Sequence, residues 1–186
     1  MSIIETTDGQ SVCLSVSLSL SLHVFTSLFS SPQPVLLWFY IHMLLSSLLS
    51  SWVFTHSQLT ELNLSLNNNM EDSGVDQLSE GLRSENCKLK KLNLDSCGLT
   101  SRCSSSLSSV LSSPHSQLTK LNLNFNKLGD SGARQLCEGL RTPNCKLKTL
   151  WLQLNDISES EEMSLRSLRE ELNRTGRQVK IKILEG

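Results

Sequence analysis

Ser57-Gln58-Leu59-Thr60-Glu61-Leu62-Asn63-Leu64 returns further along the chain as Ser116-Gln117-Leu118-Thr119-Lys120-Leu121-Asn122-Leu123. Between them stands Cys87-Lys88-Leu89-Lys90-Lys91-Leu92-Asn93-Leu94, and a fourth copy follows as Cys145-Lys146-Leu147-Lys148-Thr149-Leu150-Trp151-Leu152. The first leucines of these runs are 30, 29 and 29 residues apart, so two versions of one unit alternate. The additional residue of the first unit falls in Asn67-Asn68-Asn69, a turn, where insertions are tolerated. A period of this length marks a stacked array of small supersecondary units.

Each unit reads L-x-x-L-x-L-x-x-[N/C]. Leu62 and Leu64 are two apart, so on a strand both face inward while Glu61, Asn63 and Ser65 face out. The same alternation holds for Leu92/Leu94, Leu121/Leu123 and Leu150/Leu152. One such strand buries too little to fold alone, whereas stacked parallel strands share a continuous core. Asn67, Cys97, Asn126 and Asn155 occupy the next fixed position. A small polar side chain there can satisfy backbone groups where the strand turns away.

The second half of the unit is helical. Val75, Leu78 and Leu82 fall at i, i+3 and i+7, as do Ala133, Leu136 and Leu140. Cys103, Leu107 and Leu111 give the middle unit a similar stripe among many serines. Ser73 and Ser131 are expected as helix caps, and Gly81 and Gly139 as weak points costing about 1 kcal/mol each against Ala. After Asn155 the rhythm stops. Met163, Leu165, Leu168 and Leu172 are expected on one helical face, Gly176 ends that helix, and Val179-Lys180-Ile181-Lys182-Ile183 alternates as a strand. A helix and strand at residues 159–186 would close the open end of the array.

The pattern resembles the leucine-rich repeat, and more specifically the alternating long repeats of ribonuclease-inhibitor type found in NACHT/leucine-rich-repeat (NLR) proteins. Asn126-Lys127-Leu128-Gly129-Asp130-Ser131-Gly132-Ala133 with Leu136-Cys137-Glu138-Gly139-Leu140 is similar to one repeat type. Cys97-Gly98-Leu99-Thr100 with Cys103, Leu107, Val110 and Leu111 is similar to the other. The resemblance implies an α/β solenoid, a short horseshoe arc with parallel strands on the concave side and helices on the convex side. It also implies a protein-interaction module, part of an NLR-like innate immune sensor or regulator, that binds a protein partner through the concave face. The outward columns of that face are Asn63, Asn93, Asn122 and Trp151; Glu61, Lys91, Lys120 and Thr149; and Ser65, Asp95, Asn124 and Gln153. Trp151 stands out, because three other units place Asn there and exposed Trp is enriched among residues that dominate interfaces.

Working outward, charge divides the chain. It has 186 residues with 17 basic and 18 acidic, so bulk charge does not mark it as a nucleic-acid binder. No Lys or Arg precedes Arg83, and nothing charged lies between Asp8 and Glu61. Residues 1–44 read as a low-complexity or disordered leader. Residues 45–158 read as the repeats, with a degenerate first unit and then units starting near 57, 87, 116 and 145. The opposing reading takes residues 35–54, Val35 to Phe54, as the anchor of a membrane-bound or secreted receptor, since the run is about as long as a bilayer span. The dilution by Ser46, Ser47, Ser50 and Ser51 and the lack of flanking Lys or Arg weigh against it.

Other signals dissolve into the repeat. Asp72-Ser73-Gly74 and Asp130-Ser131-Gly132 imitate the paired motif of aspartic proteases, yet they are two repeats apart and lie at helix starts. The cysteines contain no C-x-x-C, and most occupy repeat positions, as expected of buried free thiols in a reducing compartment. The four histidines form no ligand pair. The expectation is therefore a cytoplasmic binding protein: no enzyme, no catalytic residues, no cofactor, no metal, no nucleic acid and no membrane.

Overall fold

The computed structural model describes residues 59–68 and 70–183, together with the backbone of two short strands, β1 (Ile3–Ile4) and β2 (Val12–Cys13). β1 and β2 pair antiparallel as a two-stranded sheet of their own. The readings of the remaining leader, of an anchor at 35–54 and of a degenerate unit at 45–56 fall outside the described residues.

Strands β3 (Glu61–Asn63), β4 (Lys91–Asn93), β5 (Lys120–Asn122), β6 (Thr149–Trp151) and β7 (Lys180–Lys182) form one parallel sheet in chain order. Parallel neighbours need a crossover. It is supplied by α1 (Glu71–Leu82), α2 (Ser104–Ser112, entered through a 3-10 turn at Ser101–Cys103), α3 (Gly129–Arg141) and α4 (Glu159–Arg174). The register follows the repeat: Leu62, Leu92, Leu121, Leu150 and Ile181 lie side by side across the sheet. All five are buried, as are Leu94, Leu123 and Leu152 two residues on. Val75, Leu78 and Leu82 of α1, Leu107 and Leu111 of α2, and Ala133, Leu136 and Leu140 of α3 join the same core. This is the α/β leucine-rich-repeat solenoid. Among the described residues no helix is long and apolar enough to cross a membrane.

The turn out of each strand is held as its composition suggests. Asn126 is 4% exposed. Its Nδ2 donates to the carbonyls of Leu94, Leu123 and Asn124, and its Oδ1 accepts from the N–H groups of Cys97 and Leu99. One amide thereby satisfies five backbone groups in two adjacent units. In the preceding unit the Cys97 thiol takes the place of Asn and donates to Leu64 O at 3.1 Å. The residue before each ladder position adopts a left-handed conformation: Leu66, Ser96, Phe125 and Leu154, with φ of 64, 54, 54 and 54°.

Three expectations are corrected. Ser73 and Ser131 do not cap α1 and α3: both lie inside the helices, which begin after Met70 and Leu128 with no side-chain cap. The neighbouring aspartates bind the next unit instead. Asp72 accepts from the Thr100 N–H and hydroxyl, and Asp130 from the Ser158 N–H (2.7 Å) and hydroxyl (2.8 Å). Thr100 and Ser158 are the N-caps of the following helical segments, so each aspartate fixes the start of its neighbour. Gly139 is not a weak point, since a Cβ there would stand 2.9 Å from Ser108 Cα and carbonyl O. A Cβ at Gly132 would likewise stand 2.8 Å from Ser104 Oγ, so glycines on α3 and serines on α2 let those helices approach closely. Met163 leaves the expected stripe and is 62% exposed, because it sits two residues from Leu165 and so nearly opposite it on the helix.

A helix and a strand follow the last repeat. α4 buries Leu165, Leu168 and Leu172, and Gly176 turns the chain with φ 85°. β7 buries Ile181 against β6. Arg177 then donates to the carbonyls of Leu140, Thr142 and Cys145 at 2.8–3.0 Å, tying cap to array. Arg134 adds an ion pair to the buried Glu161 at 2.8 Å.

Candidate functional site

The open side of the sheet carries the outward residues in straight rows. One row runs Glu61, Lys91, Lys120, Thr149 and Lys180; the next runs Asn63, Asn93, Asn122, Trp151 and Lys182. Neighbouring strands stand about 4.8 Å apart, so side chains in a row line one continuous surface. The cap contributes Lys180 and Lys182, which a reading confined to the four repeats left out.

The rows are not uniformly free. Lys91 is ion-paired to Glu61. Asn63, Asn93 and Asn122 each accept, through Oδ1, the N–H of the residue two positions on: Ser65, Asp95 and Asn124. The asparagine column therefore has a structural task, shaping the turn that leaves each strand. Trp151 cannot perform it, and the preceding unit does so instead. Asn124 Oδ1 accepts from Gln153 N at 2.9 Å while its Nδ2 donates to Gln153 Oε1 at 3.2 Å. This corrects the expectation for Asn124, which is buried, 9% exposed, rather than displayed. Ser65, Asp95, Thr149 and Gln153 are half-buried, and Lys120 is exposed.

Trp151 is half-buried rather than fully open. Its neighbours in register are Asn122 and Lys182, and the Lys182 ammonium stands 5.9 Å from the ring centroid, within cation–π reach. The indole thus lies braced along the sheet with one part of its surface accessible. A large amphipathic side chain held in one orientation loses little conformational freedom when a partner covers it.

A second feature escaped the sequence reading. Leu66, Phe125 and Leu154 are 76, 55 and 60% exposed, all at the left-handed position that ends the strand segment. Alternation from Leu64, Leu123 and Leu152 would carry them inward, and the reversed turn carries them out. The available signal was apolar residues at the second x before the ladder Asn in three of four units.

Cys87, Cys97, Cys103, Cys137 and Cys145 are free and buried. Burial, with Asp72 nearby, pushes the Cys103 thiol up to about 12, and burial pushes Cys137 up to about 11. At neutral pH the Cys103 and Cys137 sulfurs stay protonated. Among the described residues no group of three or more His, Cys, Asp or Glu could hold a metal ion.

Comparison with known proteins agrees with this architecture. A leucine-rich-repeat family model matches residues 55–79, 85–102 and 116–137. NACHT, LRR and PYD domains-containing protein 12 of Mus musculus is 52% identical over 52 residues, 28% of this chain and 5% of that protein. NACHT, LRR and PYD domains-containing protein 3 of Bos taurus is 48% identical over 62 residues, 33% of this chain and 6% of that protein. The match thus spans only about a twentieth of these relatives' length. Among solved structures, leiomodin-1 actin-binding site 2 has the same fold, with TM-score 0.59 at 15% identity over 75% of this chain and 78% of that one. The repeats are similar to those of NLR proteins.

Proposed function

We propose that these NLR-type leucine-rich repeats form a protein-interaction module of an innate immune sensor or regulator in the cytoplasm, engaging a protein partner through the concave strand face. The module works by binding and not by catalysis. Leucine-rich-repeat regions of NLR proteins generally bind proteins, and the reading rests on that likeness.

The observation that carries it is the second row, in which Trp151 interrupts an asparagine column whose turn-shaping task Asn124 has taken over. A braced indole with accessible surface, bordered by the unpaired ammonium of Lys120, has the make-up of an interface anchor with a polar rim. Asn63, Asn93 and Asn122 have Nδ2 donors to offer once their Oδ1 atoms are engaged, and Glu61, Asp95 and Gln153 supply acceptors. Ser65, Thr149 and the Glu61–Lys91 pair complete the polar border, where charges set approach and orientation more than affinity.

The test begins with partner capture by proximity labelling, followed by calorimetry. Trp151→Ala should cost about 2 kcal/mol or more of binding, with stability lowered by only about 0.5–1 kcal/mol through the lost Lys182 contact. A Trp151→Ala protein that fails to fold would assign the indole to the core and remove the face with it.

A further inference from the structure

We propose that the groove at the entry edge of β5, β6 and β7 binds an acidic, extended peptide segment of a protein partner. The inference rests on the reading of this chain as a protein-interaction module and names a second place and chemistry for contact.

The groove encloses about 640 Å³, within the range of clefts that hold a compact ligand. Five cationic residues line it, Lys120, Lys146, Lys148, Arg177 and Lys180, and none of the described lining residues is acidic. Their states differ. Arg177 is committed to three carbonyls, and Lys146 donates to Pro114 O at 3.3 Å. The ammonium groups of Lys120, Lys148 and Lys180 make no hydrogen bond or ion pair, unlike that of Lys91 one strand away, which Glu61 neutralises. Three residues with uncompensated ammonium groups therefore line one concavity in a chain whose net charge is −1. Such clustering raises the local potential well above what the overall charge would produce.

The dimensions favour an extended backbone. Lys120 and Lys180 lie in register on either side of Thr149, two strand spacings apart, or about 10 Å. Acidic residues at i and i+3 of an extended polyproline-II segment share one face, at three residues per turn, and span about the same distance at roughly 3.1 Å per residue. Lys148 stands between them. Cys145, Leu147 and Val179, all buried, give the groove an apolar component for the aliphatic parts of the segment. A membrane presents a flat surface to a concave site. Single-stranded nucleic acid is usually held by aromatic stacking platforms, and no aromatic residue lines this groove.

The experiment measures fluorescence anisotropy of a fluorescein-labelled hexaglutamate peptide titrated with the full chain. The peptide should bind, more weakly as salt is raised, and a hexaglutamine peptide should not. The triple variant Lys120→Gln, Lys148→Gln, Lys180→Gln should lose about tenfold or more in affinity. The matching triple Lys→Arg variant should restore it, and Lys88→Gln, outside the groove, should stay within about twofold. Circular dichroism confirms that the variants are folded. Equal binding by the Gln triple and the parent overturns the proposal, as does tighter binding of single-stranded RNA or anionic phosphatidylserine vesicles than of the peptide. The assay needs no natural partner, so its failure removes the groove and leaves the Trp151-centred face to its own test.

Discussion

The convex side of the solenoid and its concave side share one repeat but use it in opposite ways. On the convex side each unit grips the next. Asp72 holds Thr100 and Asp130 holds Ser158, each 28 residues ahead, while Gly132 and Gly139 let α3 settle onto Ser104 and Ser108 of α2. On the concave side the asparagine column closes its contacts within one unit, as Asn63, Asn93 and Asn122 each bond two residues on. Cohesion between units therefore comes from the core, the ladder amides and the helices. The concave side chains are left with freedom that packing does not consume, which is the physical condition for recognition.

That contrast can be broken most forcefully in the core between the two sides. Leu123 is fully buried, so Leu123→Ala should cost about 2–5 kcal/mol through lost burial and a cavity. Denaturant titration reads this directly, and a loss below 1 kcal/mol would mean that the strand register is wrong.

The close contact of α2 and α3 comes next. Gly139→Ala pushes a Cβ against the Ser108 backbone and should destabilise by about 1–3 kcal/mol, the usual cost of overpacking. Helix propensity alone predicts the reverse sign, a gain of about 1 kcal/mol. The sign of the shift in thermal midpoint decides between the two.

A smaller effect should come from the aspartate clasp, read against pH. Hydrogen bonds from the Ser158 N–H and then its hydroxyl hold the Asp130 carboxyl below its ordinary value. A group with a depressed folded pKa stabilises fully above its unfolded pKa, about 3.9, and loses that contribution as pH falls through the folded value. Asp130→Asn should thus flatten the acid side of the stability profile below about pH 4 and leave its slope near neutrality alone. An unchanged acid limb would show that the clasp contributes nothing to the linkage.

The smallest change belongs to the concave side. Lys120 is exposed and unpaired, so Lys120→Ala should move stability by no more than about 0.5 kcal/mol. A loss comparable to that of Leu123→Ala would erase the distinction between the two sides.

Much of this was legible in advance. Period-two leucines fixed which face of each strand is buried, because a register slip of one residue would turn every leucine outward. The ladder asparagines and the terminal helix–strand cap were legible for the same reason: each has a local chemical signature. The columns of the concave face followed from the repeat length alone. What escaped was everything that depends on a neighbour in space. Ser73 and Ser131 looked like caps because capping is read locally, whereas Asp72 and Asp130 act on residues a full repeat away. Gly139 looked like a defect until Ser108 was placed opposite it.

The sequence by itself determined the fold class, the strand register and the alignment of strand positions into rows, since these follow from periodicity and the burial of leucine. Only the tertiary structure decided which residues are free. Asn124 is occupied because Trp151 displaced an asparagine one unit on; Lys91 is neutralised by Glu61, while Lys120, Lys148 and Lys180 line one groove with their ammonium groups unpaired; Leu66, Phe125 and Leu154 face outward through a left-handed turn. Periodicity states where a side chain sits along its own unit. Its availability is set by hydrogen bonds and charges from units about 29 residues away, and those act through space at distances that only the stacked chain defines.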